Sequence, residues 1–185
     1  HTIVQRRFFV FTQKIAASAA RRQAAAAPYA GSPSAADGEQ RKAERQNGDF
    51  SIMIIGINCG HTVSGTVGSG AVGILNESDE TRAIGYRLMD RLCKTGNTVI
   101  DCTDDKSPTV NANLKKICDM ANAQPLDMFL SIHFNSGGGK GCEAYTYDGK
   151  DKARASQMLD ALKSLGFVNR GIKDGSRLYV IRHTN

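Results

Sequence analysis

The stretch MIIGINCGHT, residues 53–62, decides the fold class, because an apolar run of strand length passes directly into a loop rich in glycine, serine, threonine and valine. A second run of the same character extends from Asp127 to His133. Further strands are predicted at Val99-Ile100 and from Gly141 to Tyr147. The chain therefore contains at least four strands of the length that a buried sheet uses.

Helical patterns alternate with these strands. From Glu77 to Lys94, apolar residues recur every four positions from Ile84 onward. A second helix is predicted to start at Ser107-Pro108, with the serine as N-cap, and a third to run from Lys152 to Leu165. This alternation predicts a single α/β domain with a mostly parallel sheet flanked by helices.

Residues 1–52 differ in composition from the rest of the chain. They contain no acidic residue before Asp37, are alanine-rich through Ala24–Ala27, and then become rich in glycine, serine and proline. Such a segment has little apolar surface to bury, so we expect it to be disordered or non-native and to precede a domain of residues 53–185. Organellar transit peptides have a similar composition. A chain that starts at Met53 is therefore expected to be as stable as the full chain.

The charge distribution argues against a nucleic-acid partner. The formal net charge is +6, but residues 1–52 hold eight Lys and Arg against four Asp and Glu, whereas the remainder holds sixteen against fourteen. The basic excess thus lies mainly outside the predicted domain. No apolar run approaches the roughly 20 residues that cross a bilayer, so no membrane span is predicted.

The cysteines favour buried thiols in a protein made in a reducing cytoplasm. There are five, an odd number, widely spread and without a CxxC pair. This pattern is typical neither of a disulfide framework nor of a structural zinc site. The positions are Cys59, Cys93, Cys102, Cys118 and Cys142.

Three polar residues fall where predicted elements begin or end. His61 follows the first strand, Glu77 opens the first helix, and His133 ends the third strand. In parallel sheets such positions meet at one edge, and two imidazoles with one carboxylate leave a fourth position of tetrahedral zinc open for water. Each residue also has an ordinary interpretation: a loop histidine, a carboxylate that complements a helix N-terminus, and a histidine at a strand end. The spacing alone leaves these alternatives open.

Five blocks in order resemble the zinc-dependent N-acetylmuramoyl-L-alanine amidase family and, within it, clostridial phage endolysins. The resemblance covers nearly all of residues 53–185. The blocks are IGINCGHT (55–62), NES (76–78), DMFLSIHFNS (127–136), GCEAY (141–145) and NRGIKDGSRLYVIRHTN (169–185).

The resemblance implies a phosphorylase/hydrolase-like α/β fold and a Zn²⁺ cofactor bound by His61, Glu77 and His133. Glu80, one helical turn after Glu77, is the alternative for the second position. The implied reaction is hydrolysis of the amide bond between N-acetylmuramic acid and L-alanine in bacterial peptidoglycan by a zinc-activated water. The implied site of action is the cell wall, during phage lysis or outside the cell.

The resemblance also implies a general-base glutamate on a strand beyond Asn185. We therefore expect the domain to be C-terminally incomplete, without its final strand and helix, and to leave an unpaired strand edge beside the site. Glu143 is the acid that might replace the missing base, although the family uses its strand structurally. The expected reaction thus depends on a residue outside the 185-residue sequence.

Three further residues have candidate roles near the site. Asn135 follows the third predicted ligand and either steadies the site or forms a turn. His183 either contacts substrate or is a solvent-exposed histidine. Cys59 stands where the family usually has proline, and it is either a reactive thiol near the metal or a plain buried residue.

Two other classes of function fit the same residues. One is a catalytically silent module that binds zinc or muropeptides, and the other is a zinc exopeptidase that acts on other peptides. The sequence leaves the oligomeric state open.

Overall fold

The computed structural model describes residues 8–14, 52–72, 75–135, 140–150 and 152–184. Its strands are β1 (Phe8–Lys14), β2 (Ile54–Cys59), β3 (Thr98–Asp101), β4 (Met128–Asn135), β5 (Gly141–Thr146) and β6 (Asn169–Asp174). Its α-helices are α1 (Glu77–Lys94), α2 (Val110–Asn122), α3 (Lys152–Ser164) and α4 (Tyr179–His183). Within these ranges, no helix is long and apolar enough to cross a membrane.

The strands form one six-stranded sheet in the order β3-β2-β4-β1-β5-β6. All neighbouring pairs are parallel except β1 with β5, which is antiparallel. This confirms the prediction of a single α/β domain with a mostly parallel sheet. Because β2 and β4 are parallel neighbours, their carboxyl ends lie at the same edge of the sheet.

The position of β1 corrects the prediction for part of residues 1–52. Phe8–Lys14 lies inside the sheet, parallel to β4 and antiparallel to β5, in unbroken register with both. Strand β4 is therefore paired on both sides, by β2 and β1, and the unpaired edge expected beside the site is not found there. Its pairing partners lie more than 110 residues away along the chain, so no local pattern reveals it. The prediction for residues 1–7 and 15–51 falls outside the described residues.

Each face of the sheet carries its own apolar cluster. Ile57, Leu130 and Ile132 belong to the cluster that contains Met89 of α1 and Leu159 of α3. The opposite face buries residues of β2 and β4 against α2 and α4. That second cluster comprises Ile54, Cys102, Ile117, Cys118, Ala121, Leu126, Phe129 and Val180.

Helix α1 has the predicted bounds, and part of its predicted apolar stripe packs inward. Leu88 and Leu92 pack against the first apolar cluster, but Ile84 is 41% exposed. Toward the start of the helix, the buried residues are Ser78, Thr81 and Arg82. The buried stripe of the first two turns is polar because these side chains form hydrogen bonds with the loop after β2. The apolar periodicity therefore identified the helix and the inner face of its later turns, but not the buried polar stripe of its first two turns.

Helix α2 starts two residues later than predicted. Its N-cap is Thr109, whose side chain accepts a hydrogen bond from the amide of Ala112 at 3.2 Å. The predicted cap, Ser107, instead donates its amide to Asp104 at 3.3 Å. Both residues are good N-caps by chemistry, so the sequence did not distinguish between them.

Candidate metal centre

His61, Glu77 and His133 meet at the carboxyl edge of the sheet. His61 is two residues beyond the end of β2, Glu77 is the first residue of α1, and His133 lies near the end of β4. One potential ligand atom from each lies within 4.8 Å of the others. The structure thus brings together the three residues that the sequence singled out.

The three donor atoms form a triangle of the size that one zinc ion requires. His61 Nε2 lies 3.0 Å from Glu77 Oε1, and His133 Nδ1 lies 3.2 Å from the same oxygen. The two ring nitrogens are 3.2 Å apart. Donors at 2.0–2.1 Å from a tetrahedral zinc ion are separated by about 3.3 Å. Two imidazole nitrogens and one carboxylate oxygen also match zinc's ligand preference, so these residues fit the ion.

Glu77 is held as an anion by groups on both sides. Its Oε1 accepts the amide of Phe134, and its Oε2 accepts the amide of Ala71, each at 2.9 Å. Burial raises the pKa of the Glu77 carboxyl, but hydrogen bonds from His133, His61 and the Ala71 amide outweigh that effect and hold the pKa well below its usual range. The carboxylate is therefore ready to bind a cation at neutral pH.

His61 is oriented by the loop that follows it. Its Nδ1 lies 3.1 Å from the carbonyl of Gly68, which can only accept, so Nδ1 donates there and Nε2 is the ring nitrogen that faces the cluster. Its backbone is in the left-handed region, with φ of 68°. A Cβ at Gly70 would lie 2.7 Å from the His61 ring and 2.8 Å from Glu77 Oε2, so glycine lets the loop close over both.

A cavity of about 270 Å³ opens beside the cluster and shares His61 and His133 as lining residues. Its apolar wall is formed by Val110, Leu114 and Ile117 of α2 with Val180 of α4. Asn58 and Asn113 supply polar groups. The cavity thus places an apolar surface next to the donor atoms, and none of these six lining residues was predicted from the sequence to be functional.

Glu143 lies on the same face of the sheet as His133, but its side chain makes different contacts. Thr12 of β1 is in register with both His133 and Glu143, so these two residues share a face of the sheet two strands, or roughly 10 Å, apart. Glu143 is buried and accepts hydrogen bonds from Tyr145 Oη at 3.0 Å and Arg170 Nε at 3.3 Å. These contacts fit the structural role better than a free base.

Two of the remaining candidates, Glu80 and His183, are not part of the donor cluster. Glu80 is not in the group of three donors that the described residues form. His183 is exposed on α4, and its ring lies 4.2 Å from that of Tyr179. It is not among the cavity residues. The side chain of Asn135 falls outside the described residues, although its backbone ends β4.

Cys59 has the environment of a plain buried residue. It is fully buried, and a Cβ on Gly85 of α1 would collide with its sulfur, so the helix packs closely on this thiol. Burial raises the pKa of Cys59 to about 11. It likewise raises the pKa of Cys102 to about 12 and that of Cys118 to about 11. None of these three is activated as a nucleophile.

An α/β domain with a His₂Glu donor cluster at the carboxyl edge of its parallel strands has a donor set compatible with a catalytic metal ion. The chain belongs to the N-acetylmuramoyl-L-alanine amidase family, which matches residues 55–185. The uncharacterized protein CPE1502 of Clostridium perfringens (strain 13 / Type A) is 33% identical over 141 residues, or 72% of this chain. The chain spans only 41% of that relative's length.

Two solved amidase structures resemble the chain in fold and sequence. The catalytic domain of CwlV, an N-acetylmuramoyl-L-alanine amidase from Bacillus (Paenibacillus) polymyxa var. colistinus, is 28% identical, with a TM-score of 0.61 over 72% of this chain and 75% of that one. The N-acetylmuramoyl-L-alanine amidase AmiC2 of Nostoc punctiforme is 26% identical, with a TM-score of 0.60 over 74% of this chain and 76% of that one.

Proposed function

We propose that this protein is a zinc-dependent amidase that hydrolyses the bond between N-acetylmuramic acid and L-alanine in bacterial peptidoglycan. The observation that carries the proposal is the triangle of His61 Nε2, Glu77 Oε1 and His133 Nδ1, with sides of 3.0 to 3.2 Å. Membership of the amidase family supports the choice of substrate.

The metal would be held by His61, Glu77 and His133. Hydrogen bonds from neighbouring backbone groups prepare the first two for that role. Gly68 fixes the His61 tautomer, and backbone amides keep Glu77 ionised. A bound Zn²⁺ would lower the pKa of a coordinated water toward roughly 7 and polarise the amide carbonyl. Because three protein ligands leave one tetrahedral position open, the arrangement suits catalysis rather than a closed structural site.

The cavity beside the donors is the proposed substrate cleft. Its apolar wall on α2 and α4 excludes water from one side of the reacting bond, which strengthens electrostatic interactions inside. Asn113 is fixed at the bottom of this wall, since its side-chain amide donates to the carbonyl of Asp104 at 2.7 Å. We propose that the enzyme is made in the cytoplasm and acts on the cell wall, with peptidoglycan as its partner.

The test is zinc binding and hydrolysis by matched variants of the full chain. Wild type is expected to take up about one equivalent of zinc, while release of L-alanine-bearing peptide from purified walls is expected of the chain extended through the glutamate-bearing strand that the family resemblance implies beyond Asn185. His133→Ala is expected to weaken zinc binding by orders of magnitude, because one of three ligands is lost. Glu80→Ala, an acid on the same helix as Glu77 but outside the cluster, is the control and should bind zinc like wild type.

The outcomes separate the alternatives. Unchanged zinc content in His133→Ala would refute the metal site. Zinc binding without hydrolysis of walls or of small peptides, by the extended chain as well, would favour the silent binding module. Release of amino acids from unrelated peptides, with intact muramoyl–alanine bonds, would favour the zinc exopeptidase.

A further inference from the structure

Three consecutive backbone carbonyls around His61 each accept a hydrogen bond from a side chain of α1. Thr81 Oγ1 donates to Gly60 at 3.1 Å, Arg82 Nη2 donates to His61 at 2.9 Å, and the Ser78 hydroxyl donates to Thr62. These donors occupy the first two turns of the helix that also supplies Glu77. One helix therefore provides one cluster residue and holds the backbone of another.

Arg82 is the centre of this arrangement. Its side chain is only 10% exposed. Nη1 donates to the Ser78 carbonyl at 3.0 Å and to the Ser78 hydroxyl at 2.8 Å, while Nη2 also pairs with Asp105. The guanidinium thus joins α1, the His61 loop and the loop after β3. A lysine could not form this planar set of contacts, because it offers one compact ammonium rather than a rigid fork.

The His61 backbone requires such support. A non-glycine residue with φ of 68° is in a sparsely populated region, and it persists only where the surroundings hold it. The His61 side chain is held through the Gly68 carbonyl, and the His61 carbonyl is held by Arg82. Loss of the second contact lets the backbone relax and moves Nε2 out of the donor triangle.

We propose that Ser78, Thr81 and Arg82 form a positioning clamp that sets the location of His61 and thereby the metal affinity of the proposed centre. Arg82 is its principal member. The proposal rests on the proposed metal site for its effect on zinc, but the clamp itself is a property of the protein without metal. Arg82 is a positioning residue, since it acts through the backbone of His61.

The first test compares Arg82→Met with Arg87→Met, an exposed arginine on the same helix, in the full chain. We expect Arg82→Met to weaken zinc binding about 10- to 100-fold, the range typical when a contact behind a metal ligand is lost. Arg87→Met should stay within twofold of wild type. The visible spectrum of the Co²⁺-substituted protein should also change in Arg82→Met, which a loss of stability alone would not produce at temperatures where the variant is folded.

The second test needs no metal. Thr62 donates its amide to Gly68 at 3.3 Å inside the clamped loop, so its hydrogen exchange in zinc-free protein reports whether the loop is held. Exchange of this amide should accelerate at least tenfold in Arg82→Met, relative to core amides of β2, and should not change in Arg87→Met. Arg82→Lys and Thr81→Val, which are milder changes, should give intermediate acceleration if Arg82→Met does not fold.

The two tests distinguish failure of the clamp from failure of the metal site. Unchanged Thr62 exchange in all clamp variants would overturn the clamp, whatever zinc does. Faster exchange with no zinc binding by wild type would uphold the clamp and refute the proposed metal site. Faster exchange with wild-type zinc affinity and an unchanged Co²⁺ spectrum would overturn the claim that the clamp sets metal affinity.

Discussion

The two halves of the sheet are built in different ways. The site half, β3, β2 and β4 with α1 and α2, uses elements that follow one another between residues 54 and 135. The far half, β1, β5 and β6 with α3, includes a strand from the start of the chain that lies between β4 and β5. The site half therefore assembles from local connections, whereas the continuity of the whole sheet depends on one distant strand. The donor cluster therefore depends on the site half, whereas β1 joins that half to β5 and β6.

The largest effect is expected from removing β1. A chain that starts at Met53 loses the strand between β4 and β5, and the backbone groups along both strands lose their partners. We now expect its melting temperature to fall by at least roughly 10 °C, on the order of 3 kcal/mol or more, as thermal unfolding would measure. This reverses the expectation from sequence. An unchanged melting temperature would mean that β1 does not contribute to the thermal stability of the sheet.

A matched pair of substitutions isolates the backbone contribution of β1. Thr12→Pro removes one amide from a strand that is paired on both sides, whereas Thr12→Val keeps the amide and nearly the same shape. Only the proline variant should approach the instability of the truncated chain. Equal melting temperatures for the two variants would contradict the pairing.

A smaller effect is expected in the far half from Glu143→Gln. The change removes the charge that Arg170 Nε contacts, while the amide can still accept from Tyr145. Because Arg170 is 32% exposed and can be hydrated, we expect a loss of about 2 kcal/mol in the free energy of unfolding, measured by denaturant titration. Zinc affinity should remain within twofold of wild type. A tenfold fall in affinity would show that the far half takes part in the metal site.

The smallest effect concerns Asp104, which fixes the cavity residue Asn113. Burial raises the pKa of Asp104, but hydrogen bonds from Ser107, Asn113 and the Lys106 amide outweigh it, so the net pKa is lowered. Its stabilisation is therefore present above the ordinary pKa near 4 and is lost as the pH falls through the lower folded value. Asp104→Asn should be about 1 kcal/mol less stable than wild type at pH 7. The melting temperatures of the two proteins should converge as the pH falls below about 4, the ordinary pKa of the carboxyl; a constant difference would contradict this assignment.

Sequence patterns captured the site half better than the far half, for physical reasons. The apolar run before His61 and the periodicity after Glu77 are local signals, so the strand, the helix and their junctions were predictable. Strands β1 and β6 were missed. Strand β1 depends on partners more than 110 residues away, and β6 has exposed or half-buried residues without a clear alternation.

Within the site, the donors were easier to predict than their supports. Histidine and glutamate at element ends carry recognisable metal chemistry. The roles of Ser78, Thr81 and Arg82 depend on which side of the first two turns of α1 faces the His61 loop, and apolar periodicity carries no information about a polar buried stripe. The sequence did contain one signal, since Ser78 and Arg82 are four residues apart at the start of the helix that begins with Glu77. Polar pairs with this spacing are common on surface helices, so the spacing does not identify a buried contact.

The buried thiols can report how fast each apolar layer of the domain opens to solvent. Cys59, Cys102 and Cys118 lie in both apolar layers of the domain, with ionisation suppressed by burial. An alkylating reagent at neutral pH reacts with thiolate, so modification of these positions waits for the surrounding layer to separate. Mass spectrometry of each cysteine-containing peptide would give its rate of alkylation, and hence the rate at which each face of the sheet opens. No reporter group has to be introduced, since the sulfur atoms already occupy both sides.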